Sequence, residues 1–357
     1  MFEPLERTRI VGYVFGSRRP DISRIPAEKL THINYAFANL IDNQIILRES
    51  DREHIQELRR LKMQNPDLRI LVSVGGWSWS GNFSDAALTE ASRSEFARSA
   101  RDIIRDFGLD GIDIDWEYPA QPGAGNVHRP EDTQNFTLML REVRRELERM
   151  SDEEGRTGLD RYKLTIATGA NQRFLDLTEM DKAHRYLDFV NIMTYDFHGG
   201  WSQTTGHHAN LYPNASEPGR MAASTSVELH IEAGIPVQKL VLGVPFYGRG
   251  WRGVRALNNG LFQPHESAVS EPGYGLLAAE FINKNGFIRY WDDEAKAPWL
   301  WNEQQGIVYT YEDPQSLHYK TEYIRSKGMS GAMYWEHTHD PEQELLGVLA
   351  RELLGVE

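Results

Sequence analysis

Asp113, Asp115 and Glu117 occupy alternate positions in the stretch GIDIDWE, a spacing that could do acid–base chemistry. In an extended chain alternate side chains share a face. The three acids therefore form a ladder on one side, while Ile112, Ile114 and Trp116 take the other. Packed carboxylates resist ionising together, so protons are shared and at least one carboxyl stays protonated at neutral pH. A general acid must be in that form. Burying an unpartnered carboxylate is costly, and ion pairing with Arg or Lys, or a solvated edge, is the ordinary remedy. Three acids in register on an apolar run make that remedy the weaker expectation. A calcium loop shares the D-x-D spacing but needs glycine at its sixth place and glutamate at its twelfth. Counted from Asp113, those places hold Tyr118 and Ala124.

A retaining glycosidase of the common kind sets a second carboxylate about 5–5.5 Å from the acid, often on another strand end. The stretch LVLGVPFYGR, from Leu240 to Arg249, offers none. That gap points to a substrate that supplies its own nucleophile, as an N-acetyl group on the sugar could do.

Such a ladder needs a rigid, buried strand. Eight short apolar runs qualify: RIVGYVF near 9, HINYAF near 32, RILVSVGG near 69, GIDIDWE near 111, LTIATGA near 164, FVNIMTYD near 189, LVLGVPFYG near 240 and GAMYWE near 331. Near-continuous apolar runs suit strands covered on both faces. Between most of them lie helical patterns, for example from Asp51, Ser92 and Glu131. Eight alternations predict an α/β fold, a (β/α)8 TIM barrel. The span 249–307 is too long and too rich in Trp, Tyr, Gly and Asn for a single crossover. It reads as a small α+β domain inserted between the seventh strand and the seventh helix, leaving 1–248 and 308–357 for the barrel. The ladder is on the fourth strand, before the loop PAQPGAGNVHRPED, and barrel active sites are built from loops on that side.

The formal charge of −13 argues against a nucleic-acid partner, which needs clustered Lys and Arg. No run approaches the ~18 apolar residues of a membrane helix. With no cysteine, disulfides and thiolate chemistry are excluded. His207 with His208 and His337 with His339 lack H-E-x-x-H spacing and are expected to be polar surface, so no metal and no cofactor is expected. The opening MFEPLERTRIVGYVF has no export-leader pattern. Either the protein stays inside, in the cytoplasm, or it begins after a removed leader.

Four motifs in order resemble the glycoside hydrolase family 18 chitinases, specifically bacterial secreted catalytic domains. They are D-x-x-D-x-D-x-E at Asp110, Asp113, Asp115 and Glu117, SVGG at Ser73–Gly76, MTYD at Met193–Asp196, and YGR at Tyr247–Arg249. The resemblance implies hydrolysis of β-1,4 bonds in chitin and N-acetylglucosamine oligomers, with retention through an oxazolinium intermediate, by an extracellular monomer. It implies Glu117 as acid and then base, with Asp115 turning between Asp113 and the acetamido group. Tyr195 would bond the acetamido oxygen and Asp196 the distorted sugar. Trp335 would form the floor, with Tyr13, Phe37, Trp77, Tyr118, Met193, Tyr247 and Arg249 lining the pocket. Trp77, Trp79, Trp201, Trp251, Trp291, Trp299 and Trp301 are candidate sugar platforms, several of them expected to be core instead. The rivals are a non-catalytic chitin-binding lectin and an endo-β-N-acetylglucosaminidase acting on N-glycans or a peptidoglycan-like polymer.

Overall fold

In a computed structural model describing residues 8–216, 219 and 221–356, all eight apolar runs are strands of one parallel barrel. They run Arg9–Phe15, His32–Ile41, Arg69–Gly75, Gly111–Asp115, Lys163–Thr168, Phe189–Ile192, Leu240–Pro245 and Gly331–Trp335. Each pairs with the next, and the first closes the ring by pairing with both the second and the eighth. The fold is a (β/α)8 TIM barrel.

The fourth strand sorts its residues as alternation requires. Ile112, Ile114 and Trp116 join the layer between strands and helices, where Trp116 stacks on Phe83 at 5.3 Å and meets Phe136 edge-on. Fully burying a side chain of this kind contributes roughly 1.5–3 kcal/mol. That anchorage forces the acids toward the barrel axis.

Helix starts differ from the sequence pattern by one or two residues. The helix expected from Ser92 spans Glu90–Phe107, because Thr89 caps it by accepting the Ser92 N–H, and Gly108, at φ 63°, ends it. Those expected from Asp51 and Glu131 span Glu49–Arg60 and Asp132–Glu153. After the seventh strand the chain builds an antiparallel sheet from Arg249–Arg252, Ser267–Ala268, Ile288–Asp292, Ala297–Asn302 and Ile307–Thr310. Trp251, Trp299, Trp301 and Val308 form its own apolar cluster. The helix Pro314–Lys327 then returns the chain to the eighth strand.

Candidate active site

The C-terminal ends of the barrel strands open into a cavity of about 1130 Å³. Small-molecule sites usually occupy roughly 300–1,000 Å³, so there is room for an extended ligand.

Its base is the acid ladder. Asp113 lies beneath the cavity, fully buried, and accepts from Tyr13 (2.7 Å), Ser73 (2.8 Å), Thr165 (2.6 Å) and Asn191 (3.4 Å). Burial still raises its pKa, more than these donors lower it. Asp115, one step up, lines the cavity with Oδ1 buried and without a hydrogen-bond partner. Desolvation, then the charges of Glu117 and Asp113, push its pKa far above the usual carboxylate range. Glu117 follows the strand end and is 8% exposed. Burial moves its carboxyl to about 7, against a hydrogen bond from Tyr118 and with Asp196 adding to the rise. The ladder therefore offers a protonated carboxyl at neutral pH.

Local backbone chemistry explains why these acids hold still. Gly75 and Gly76 have φ of 103° and 75°, and a Cβ at Gly75 would sit 2.4 Å from the Asp115 carbonyl oxygen. Gly76 N–H donates to that oxygen at 2.8 Å. Ser80 accepts from the Glu117 N–H at 2.8 Å, while its hydroxyl lies 2.9 Å from the Gly76 carbonyl oxygen and 3.1 Å from that of Asp115. The SVGG motif thus lets one loop grip the strand end. Asp110, the first acid of the signature, sits at the opposite end of the strand, bound to Lys62 at 2.6 Å and to the Ile70 N–H.

Across the cavity, Asp196 accepts from Tyr247 (2.6 Å) and from Arg249 (Nε 2.9 Å, Nη2 2.8 Å), with His208 Nδ1 3.6 Å away. Burial pushes its pKa up, but His208 and Arg249 outweigh that and hold it well below the usual range. The Tyr195 hydroxyl reaches Met333 Sδ at 3.8 Å, a weak acceptor. Trp335 is fixed from one side by Phe37 (stacked, 5.4 Å), Phe15 (5.5 Å) and Tyr13 (5.7 Å).

Tyr13, Phe37, Trp77, Asp115, Glu117, Tyr118, Met193, Tyr195, Asp196, Tyr247, Arg249 and Trp335 all line this one cavity; only Asp113 of the sequence-derived set sits below it. Of the seven candidate platforms, Trp77, Trp79 and Trp201 line it too. Trp251, Trp299 and Trp301 are core of the inserted sheet. Trp291 stacks on Tyr319, outside the cavity lining. The histidine expectation fails. His207, His208 and His339 are buried, with burial depressing His208 and His339 to about 4, and His337, also about 4, is half-buried. Apolar neighbours and rings such as Tyr247 enclose them, which short-range spacing does not reveal. Sequence reasoning also missed Ser80, Arg18, Asn171 and Glu271, which lie outside the four motifs, and placed the cavity-lining His339 on the surface. Glu271 is bonded to Arg249 at the cavity wall.

Residues 9–340 match the family described as Glycosyl hydrolases family 18. Chitinase A1 of Niallia circulans is 38% identical over 418 residues, an alignment covering 98% of this chain and 59% of that protein. The chain thus spans about three-fifths of that relative's length. A solved glycoside hydrolase family 18 N-acetylglucosaminidase from Paenibacillus barengoltzii matches with a TM-score of 0.91 at 42% identity, covering 97% of this chain and 100% of that one. Chitinase ChiA74 from Bacillus thuringiensis matches with a TM-score of 0.93 at 38% identity, covering 98% and 70%. The chain with the buried acid ladder belongs to glycosyl hydrolases family 18.

Proposed function

We propose that the protein hydrolyses β-1,4 bonds between N-acetylglucosamine units of chitin and its oligomers, with retention through the substrate's own acetamido group. The observation that carries this reading is the contrast between Asp115 and Asp196. Asp115 carries a buried oxygen with no partner, while Asp196, across the cavity, is bound by Tyr247 and Arg249. A carboxylate so paired is a poor nucleophile, whereas an acetamido N–H would satisfy the free oxygen of Asp115. Held there, the acetamido oxygen can attack the anomeric carbon while Glu117 gives its proton to the leaving oxygen. The C–O bond to the leaving sugar breaks as the ring C–O bond of the oxazolinium forms. Glu117, now ionised, takes a proton from the water that reopens that ring and so recovers its acid form. Asp113 shares the ladder's charge, and the Tyr195 hydroxyl can donate to the acetamido oxygen. Trp335 supplies an apolar floor for the sugar ring, and the inserted sheet walls one side of the groove. An extracellular site of action belongs to the same reading, since the substrate is a polymer.

Likeness to an N-acetylglucosaminidase along its full length favours a second reading, release of single sugars by the same chemistry. Mass spectrometry of a chitin hexasaccharide incubated with wild type and with Glu117→Gln tests both. Internal fragments from the wild type alone support the chitinase, and monosaccharide as first product supports the second reading. Binding without cleavage by both proteins would leave a lectin. Proton NMR of fresh products should show the β anomer first, and an initial α anomer would exclude participation of the acetamido group.

A further inference from the structure

The outer flank of the molecule carries aromatic rings that the cavity does not use. Along the strand Ile288–Asp292, Tyr290 stacks on Trp299 of the inserted sheet's core at 5.3 Å. Trp291, the next residue, faces the other way. There it stacks on Tyr319 of the helix Pro314–Lys327, centroids 5.8 Å apart and planes at 29°. Tyr323 lies one turn further along the same helix face, and its ring meets Tyr212 at 6.1 Å. The four rings form a strip from the inserted sheet down the barrel's flank. At its far end Tyr212 and Tyr323 line a second cavity, of about 370 Å³, with Ser224, Thr225 and the ion pair Glu228–Lys327.

The charges along the strip select the ligand class. Each cation lying over a ring is matched by a carboxylate: Arg289 by Asp313, Lys296 by Asp293 and Lys327 by Glu228. The strip is electrically balanced, and the chain's charge of −13 opposes any anionic polymer. Tyr212 is 37% exposed, and Trp291 and Tyr319 are half-buried, so these three rings leave surface free, while Tyr323, 5% exposed, supports the strip from beneath. The Tyr323 hydroxyl is buried without a hydrogen-bond partner, a defect that a ligand could repair. Exposed ring faces beside uncharged hydroxyls suit a neutral sugar, whose C–H faces stack and whose hydroxyls bond.

We propose that this strip is a second, non-catalytic binding surface for a neutral N-acetylglucosamine chain, separate from the cavity that holds Glu117. The identity of the sugar rests on the proposed function. Such a surface would hold the protein on an insoluble polymer without occupying the catalytic cavity.

The test compares the wild type, a Trp291→Ala/Tyr212→Ala double variant and Tyr323→Phe, which removes one oxygen and keeps the ring packing. Two quantities are measured: depletion of protein from solution by insoluble chitin, and the rate on a soluble chitin trisaccharide. The double variant is expected to cut the trisaccharide at the wild-type rate while its affinity for insoluble chitin falls about tenfold. Tyr323→Phe is expected to lose about threefold in affinity, again with an unchanged rate. Wild-type binding to chitin by both variants would overturn the strip while leaving the hydrolase reading intact. A wild type that leaves both the trisaccharide and a chitin hexasaccharide uncut would overturn the hydrolase reading and this ligand with it. A dimer in sedimentation that the double variant dissolves would assign the strip to a second copy of the chain and overturn the sugar.

Discussion

The two walls of the cavity handle the same problem in opposite ways. Asp115 and Glu117, at the end of the fourth strand, are buried among groups that do not neutralise them, and both pKa values rise. Asp196, on the far wall, also meets desolvation although 34% of its side chain is exposed, but Arg249, His208 and Tyr247 converge on it and its pKa falls. Burial alone therefore does not set the protonation state; the balance of burial against the partners does. A third carboxyl, Glu312, is more enclosed than either wall, and although Lys320 pairs with it and opposes the rise, burial still raises it. One wall holds a proton ready to give, and the other holds a fixed negative charge.

Removing the proposed proton donor should have the largest effect. Glu117→Gln is expected to reduce hexasaccharide turnover by about 10³–10⁴-fold, in the upper part of the range for a general acid, while leaving binding measurable by calorimetry. Unchanged kinetics would remove Glu117 from the mechanism. Asp115→Asn should cost about 10²–10³-fold in kcat, comparable to loss of a transition-state electrostatic partner. Its pH profile is a second readout. Wild-type kcat/KM is expected to fall as pH rises through about 7, where Glu117 loses its proton. Asp115, whose own pKa lies far above the usual range, carries no charge where Glu117 titrates, so in Asp115→Asn that limb should stay near 7. A limb that moves to lower pH would show that Asp115 is ionised beside Glu117 in the wild type.

The same wall should also lower stability in a pH-dependent way. Glu117 has a folded pKa near 7, above its ordinary 4.5. Between those values the folded state binds more protons than the unfolded state, so stability is lost as pH rises through the window. Glu117→Gln is therefore expected to gain about 3 kcal/mol of unfolding free energy over wild type at pH 8 relative to pH 4. Denaturant melts at both pH values check this, and equal midpoint shifts at the two would contradict the raised carboxyl. On the opposite wall, Arg249→Met strips Asp196 of its cation. Activity should drop about 10–100-fold, the scale of a charged hydrogen bond. The acidic limb of the profile should also move to higher pH as Asp196 returns toward the ordinary range. An unmoved acidic limb would show that Tyr247 and His208 suffice.

Much of this contrast was legible in the sequence, and the rest was not, for physical reasons. The ladder was readable because strand alternation is local: Ile112, Ile114 and Trp116 fix the orientation of Asp113 and Asp115 without reference to any distant residue. The barrel was readable because eight buried parallel strands leave eight apolar runs. The partners of Asp196 come from segments more than ten and fifty residues away, and only YGR marked two of them. Ser80, which locks the strand end, carries no signal, because a serine in a loop is as often solvent-exposed. The buried histidines mislead for a similar reason: their enclosure by Tyr247 and the inserted sheet is a property of the assembled walls. Tryptophan chemistry is the same in core and cleft, so composition could name seven candidates and not divide them.

That division yields the smallest effect and sharpens the comparison between rings that shape the cavity and rings that only line it. Trp201 is 64% exposed on the cavity wall, with the Arg249 guanidinium 4.9 Å from its ring centre. Trp251 is completely buried, and its indole N–H donates to the Gly199 carbonyl two residues before Trp201. Trp201→Ala removes one proposed sugar platform, so KM for a long oligomer should rise about threefold to tenfold at nearly constant kcat, the scale of one aromatic contact. The trisaccharide, which does not fill the groove, should feel it less. Trp251→Ala instead leaves a void in the inserted sheet and frees the loop that carries Trp201, so stability should fall by about 3–5 kcal/mol and KM should rise with it. If Trp201→Ala lowers kcat as strongly as it raises KM, the ring is acting on Arg249, and through it on Asp196, rather than on the substrate.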